Sequence, residues 1–374
     1  MNVDLVLRAV SRTMPVASRA RHLEQWRADV AGAHEAGIRP EDVVRGAIAV
    51  ALTADRDSPV LTGEPRGATP RRLSRQGVAL VAAVVTMTGA MWLTGDLDRA
   101  AVDISPALEI ALAGARSVLS MLTFGGVLFA AALFVGAAAL SRSNVVRVAF
   151  AATALGLALL AVAALHPTAA EVAAAGIGLT AGGAAVGVTG AWRSMPLILA
   201  PRSSPLVRRA PIAIAGLASV AVLLVLGALD TLIWNPLAKV PGRDLDAIYT
   251  AMIGADGFDP VTAVTFVVVW GVVWFIAAAC VTVGALATRG AWLTPRRLGI
   301  LYLAIIGIAL FLRLFSGFGI GMSIADTFAT SGGDVSVVSQ IFHLIGPLSL
   351  AGAFLLFGWA PRERSAPKAA FAAG

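Results

Sequence analysis

Hydrophobic residues change their spacing once along this chain. Before Gln76 they recur at helical intervals on one face of short segments; beyond it they run together in blocks that can cross a bilayer. The first region predicts three short helices. Val3 to Arg12 is closed by Pro15, and a second helix from Ala17 to Ala36 aligns Leu23, Trp26, Val30 and Ala33 on one side. Gly37 supplies a left-handed stop. Pro40 opens the third helix, Glu41 and Asp42 complement its positive end, and Val43, Val44, Ala47, Ile48 and Ala51 form its apolar side. Residues 57–76, rich in Pro, Gly, Ser, Thr and Arg, read as a linker between a head (1–56) and the long apolar blocks.

Those blocks predict eight spans: Gly77–Thr94, Val118–Leu140, Val145–Leu165, Val172–Trp192, Pro211–Trp234, Val261–Ala287, Leu298–Phe318 and Val338–Trp359. Each approaches or exceeds the roughly 20 residues needed for a ~30 Å hydrocarbon layer, and helices satisfy their own backbone there. Ser105-Pro106 and Asp244 are placed to start further short helices, to Arg116 and through Ile253, in the loops between spans. The expected fold is all-α: an eight-helix transmembrane bundle (77–360) behind a three-helix cytoplasmic head, with a tail over 361–374.

Composition agrees. Apolar residues form 58% of the chain and charged ones 14%, more apolar surface than one soluble core hides. The net charge of +7 suggests nucleic acid until its carriers are located. With the N-terminus inside, 24 basic residues fall on the cytoplasmic side, four outside (Arg99, Arg116, Lys239 and Arg243), and Arg313 within a span. That asymmetry orients a membrane protein with both termini cytoplasmic, and no nucleic-acid partner is expected. Trp92, Trp192, Trp234, Trp292 and Trp359 sit near span ends, as interfacial aromatics do.

The head carries Arg21-His-Leu-Glu-Gln-Trp-Arg-Ala-Asp-Val-Ala, then Ala36-Gly-Ile and Arg45-Gly-Ala-Ile-Ala-Val-Ala-Leu. An acid beside a tryptophan (Glu24, Trp26), then helix–Gly–helix closing on an Ala/Leu-rich segment, resembles the permease-prefix or HAAS-like domain of actinobacterial membrane proteins. The resemblance implies a cytoplasmic interaction or regulatory head, in a bacterial inner membrane, ahead of a body of unspecified activity.

No enzyme signature accompanies these helices. P-loop and HExxH motifs are missing, so an ATPase would be a separate subunit; no metal, cofactor or catalytic residue is expected. Gly317, Gly319 and Gly321 are expected to end or loosen the seventh span, leaving Ser323 in a loop. The single Cys280 excludes an internal disulfide and reads as a small buried apolar residue. Gly178, Gly182, Gly183 and Gly187 make two Gly-x-x-x-Gly pairs in the fourth span, for close packing within the chain or between copies.

Three ionisable residues are embedded: Asp230, Arg313 and His343. Charges at membrane depth are costly and pair or line wet cavities. Arg313 lies 15 residues past Leu298, about 22 Å along its helix, and Asp230 and His343 fall at the same outer level. An Asp230–Arg313 pair with His343 nearby satisfies the charges, as a static lock or as a substrate or proton site open to the outside. Two functions remain: a permease or transporter component with this cluster in its pathway, or a non-transporting sensor, scaffold or regulatory protein whose head binds a cytoplasmic partner. A polar cavity continuing from the cluster to the inner face separates them.

Overall fold

The structure is a computed structural model that describes residues 2–54, 61, 67–93, 106–165, 170–192, 204–287, 292–330 and 332–359. The order is α1 (Val3–Thr13), α2 (Val16–Gly32), α3 (Pro40–Thr53), α4 (Ala68–Leu93), α5 (Pro106–Leu140), α6 (Asn144–Leu165) and α7 (Ala170–Trp192). Then come α8 (Leu206–Leu229), a π-helical turn (Asp230–Trp234), α9 (Asn235–Lys239), α10 (Leu245–Asp256), α11 (Pro260–Leu286), α12 (Pro295–Phe328) and α13 (Val337–Gly358). No strand occurs among the described residues. The protein is an all-α, polytopic membrane protein. Eight long helices stand where eight spans are predicted, and seven, all but α4, are long and apolar enough among the described residues to cross a bilayer.

Contacts divide the chain into two compact units, Met1–Arg75 with Ala131–Met195, and Gln76–Ala130 with Pro196–Ala360. In the first, the head folds on its own small core of Leu7, Met14, Trp26, Val44, Ala47 and Ala51. Leu23 and Val30 pack against it from the predicted face of α2. Asp4 holds Arg27 at 2.7 Å and Arg8 at 2.6 Å. Arg27 hydrogen-bonding holds the Asp4 carboxyl below the usual carboxylate range, against a smaller desolvation effect. The chain turns at Gly37, whose φ of 67° is left-handed.

In the same unit α6 and α7 pack closely through the glycine face of α7. A Cβ on Gly183 would lie 2.6 Å from the Ala149 carbonyl, and one on Gly187 would strike the Phe150 ring. Gly178 and Gly182 point elsewhere, with nothing within 4 Å of an added Cβ. The predicted glycine set therefore splits: Gly183 and Gly187 serve the α6–α7 contact, while Gly178 and Gly182 lie on an open face.

In the second unit, α8, α11 and α12 share a dry core that includes Val220, Leu224, Trp270, Ala278, Leu298, Tyr302 and Ala309. The Tyr302 hydroxyl meets Thr282 Oγ1 at 2.6 Å, so this polar pair beside the core is satisfied. α13 crosses α12 where Gly307 faces Leu350 and the Gly346 carbonyl.

Four expectations change. The short helix after Ser105-Pro106 does not stand apart: α5 runs unbroken through Arg116 for 35 residues, because nothing there supplies turn chemistry. Helix α4 begins at Ala68, inside the predicted linker. The Gly317–Gly321 stretch neither ends nor loosens α12, which continues to Phe328 and stops at Ala329, with φ 53°. Those glycines instead admit neighbours: a Cβ on Gly317 would lie 2.8 Å from Thr231, and one on Gly321 2.8 Å from the Gly332 carbonyl. Ser323 is consequently a buried helical residue and not a loop hydroxyl. Cys280 is exposed on α11 rather than buried. The Asp244-capped helix does form, as α10, with Asp244 accepting from the Ala247 amide at 2.7 Å. Linker residues 57–60 and 62–66, Arg99, Ser105, His166, Arg193, Arg202, Arg289, the tail with Arg362, Arg364 and Lys368, and the side chains of Trp92 and Trp192 lie outside the described residues.

Candidate functional site

The site begins with a change of helical pitch. After Leu229 the backbone widens into a π turn, and the Asn235 amide bonds back to the Asp230 carbonyl. The turn brings Asp230, Thr231 and Asn235 inward together, all buried. Such turns insert one residue into the helix and are common at functional positions. Tyr249 of α10 braces it, donating its hydroxyl to the Leu232 carbonyl at 2.9 Å. Burial pushes the Tyr249 phenol up to about 12, so it stays a donor.

Arg313 reaches this turn from α12. Its Nη1 donates to Asp230 Oδ2 at 2.6 Å and to Thr231 Oγ1 at 3.2 Å. Its Nη2 donates to Asp334 Oδ2 and, at 3.0 Å, to Ser339 Oγ. The guanidinium is 4% exposed and Asp230 fully buried. Phe342 lies under the guanidinium, 5.5 Å from ring centre to Cζ.

The start of α13 closes the other side. Ser336 caps that helix by accepting from the Ser339 amide at 3.0 Å, and its hydroxyl donates to Asp230 Oδ1. Ser339 also donates to Asp230. Asn235 ties the preceding loop, donating to Asp334 Oδ1 at 3.1 Å and accepting from the Val335 amide at 2.9 Å. Both carboxylates are thus matched by donors from several helices, the condition for burying charge at tolerable cost.

Of the residues singled out by sequence, Asp230 and Arg313 meet directly. His343 joins through Asp334, its Nε2 3.9 Å from Oδ2, rather than through Asp230. Asp334, Asn235, Thr231, Ser336 and Ser339 complete the cluster. The sequence pattern did not single out Asp334; its one signal is a position two residues before Ser336, the serine that caps α13.

Lys239 adds a second cation. It is 5% exposed, its Nζ has no hydrogen-bond partner among the described residues, and Asp334 is its countercharge. Below the cluster lies the apolar core shared by α8, α11 and α12. Gly227 lets the Trp270 ring lie against α8, where an added Cβ would be 2.8 Å from it and 3.4 Å from Arg313 Cδ. Trp270 Nε1 donates to the Ala309 carbonyl at 2.9 Å. Of two surface grooves, one lies along α6 and α7 beside Val145, Val148 and Gly182, the other beside Phe258, Phe266 and Phe315; neither is lined by a residue of the cluster. No group of three metal-ligating side chains occurs among the described residues.

Comparison with known protein families, with characterised proteins and with solved structures finds no match, so the residues themselves carry the functional argument.

Proposed function

We propose that this chain is a non-transporting protein of the bacterial inner membrane, a sensor, scaffold or regulatory component whose cytoplasmic head binds a protein partner. The observation that carries this reading is the saturation of the Asp230–Arg313–Asp334 cluster above a dry core. Each carboxylate oxygen has a protein donor, and Val220, Leu224, Trp270, Tyr302 and Ala309 fill the helices beneath. Bound substrate or a moving proton needs an open valence and a polar continuation, whereas a clasp needs neither. The loop-charge asymmetry supports cytoplasmic termini. The prefix-like pattern around Glu24 and Trp26 supports the interaction role, as do apolar side chains left exposed on α3, Ile48 and Leu52.

One observation favours a permease component, served by a separate ATPase: Lys239 gives the outer end of the cluster a cation with unused donors. A single experiment separates the two. In a Cys280→Ala background, cysteines at Val220 and Ile305 are probed with membrane-impermeant thiol reagents from each side. The clasp reading expects both to stay unlabelled; labelling of both sinks it in favour of a pathway.

A further inference from the structure

Arg209 lies in the first turn of α8, 21 residues before Asp230 and so about 32 Å away along the helix. That is the thickness of a bilayer core, which puts Arg209 at the headgroup level opposite the clasp. Its side chain is 4% exposed. Nη2 donates to the carbonyl of Ala287, the residue that caps the end of α11, at 3.0 Å. Nε and Nη1 have no hydrogen-bond partner, and no carboxylate pairs with the group among the described residues. Other arginines at the same end are used differently. Arg296 bonds the Leu356 and Phe357 carbonyls that end α13, and Arg297 bonds the Trp292 carbonyl and stacks on its ring. Arg313, equally buried, faces two carboxylates.

A buried guanidinium without an anion is a strong demand for one. We propose that Arg209 is a phosphate-binding site, occupied in the membrane by the headgroup of an anionic phospholipid. Guanidinium donors suit phosphate oxygens, and the Ala287 carbonyl holds the plane in place. Basic pockets between spans at the headgroup level are established lipid sites. Val207, Val283 and Leu286, near Arg209 and Ala287 in sequence, are exposed by 85%, 68% and 40% and offer an apolar surface to the acyl chains. The uncompensated charge selects an anionic over a zwitterionic headgroup. The site is independent of whether the protein transports anything.

The test is thermal unfolding of the full-length, delipidated protein in detergent, titrated with phosphatidylglycerol, phosphatidylcholine or inorganic phosphate. Phosphatidylglycerol should raise Tm saturably. R209Q should weaken half-saturation roughly tenfold or more, the scale of one charged hydrogen bond. R209K retains the charge without the planar donors; it should give an intermediate loss and covers the case in which R209Q fails to fold. R208Q, at the exposed neighbour, should behave as wild type. Equal half-saturation in wild type, R209K and R209Q would overturn the site. An equal rise with phosphatidylcholine would overturn the anionic selection, and an equal rise with inorganic phosphate would remove the lipid as occupant.

Discussion

Arg313 and Asp230, 83 residues apart in sequence, are joined by a 2.6 Å ion pair from which water is excluded. Each neutralises a charge that the membrane would otherwise reject. Arg313→Ala should destabilise the purified protein by roughly 3–5 kcal/mol, because Asp230 is left buried without its cation; Asp230→Ala should cost less, since Arg313 keeps Asp334. The Asp230→Ala/Arg313→Met double variant should recover part of that loss, with Asp334 left to Asn235 and Lys239. Thermal unfolding of the four proteins measures the coupling; purely additive losses would show that the pair is energetically idle.

The glycine face of α7 makes a sharper prediction about packing. Gly183→Ala should cost about 1–3 kcal/mol, since its Cβ meets the backbone of α6 and neither helix can yield cheaply. Gly182→Ala and Gly178→Ala should be neutral, as nothing lies within 4 Å. Parallel unfolding of the three variants in one detergent checks the order; equal losses would remove the distinction.

Topology rests on where the arginines fall. In a Cys280→Ala background, cysteines at Ala170 and Ala255 should react with an impermeant reagent applied to intact cells, and one at Ser143 should not. External labelling of Ser143 would invert the assignment of the termini.

The head should be acid-sensitive. Asp4 is held below its ordinary value of 3.8 by Arg27 and Arg8, so its contribution is complete above that value. It is lost as the pH falls through the lower folded value, because the unfolded head takes up the proton first. Asp4→Asn should remove this part of the acid response, and unfolding monitored through Trp26 fluorescence between pH 5 and pH 2, roughly the window of carboxylate titration, tests it. An unchanged profile would mean the contact does not contribute.

The spans were legible because lipid demands uniform apolar runs, and six of the eight predicted starts lie within a few residues of the structural ones. The exceptions have physical causes. At Gly317–Gly321 local propensity favours a break, but tertiary contacts with Thr231 and Gly332 stabilise a continuous helix. The Asp230–Arg313 partnership was readable from depth alone, since three embedded charges have few ways to be satisfied. Asp334 and Asn235 were not, because an acid and an amide just outside a span look the same whether water or another helix receives them. Only the π turn and the cap at Ser336 bring them inward; the cap leaves a faint mark in its serine, and the turn leaves none.

The clasp has an order in time as well as a geometry. Synthesis delivers Asp230 first, Arg313 later, and Asp334, Ser336 and Ser339 last of all. Until α12 is made, the π turn after α8 holds an acid in lipid without the guanidinium that pairs with it. Until α13 arrives, the arginine lacks its second carboxylate. A ribosome-bound chain ending after Leu286 would therefore carry an electrostatic penalty that only completion of the last two helices relieves. Helix α13 acts as a latch, and a chain that includes it is the first species in which both carboxylates and the guanidinium of the clasp are matched.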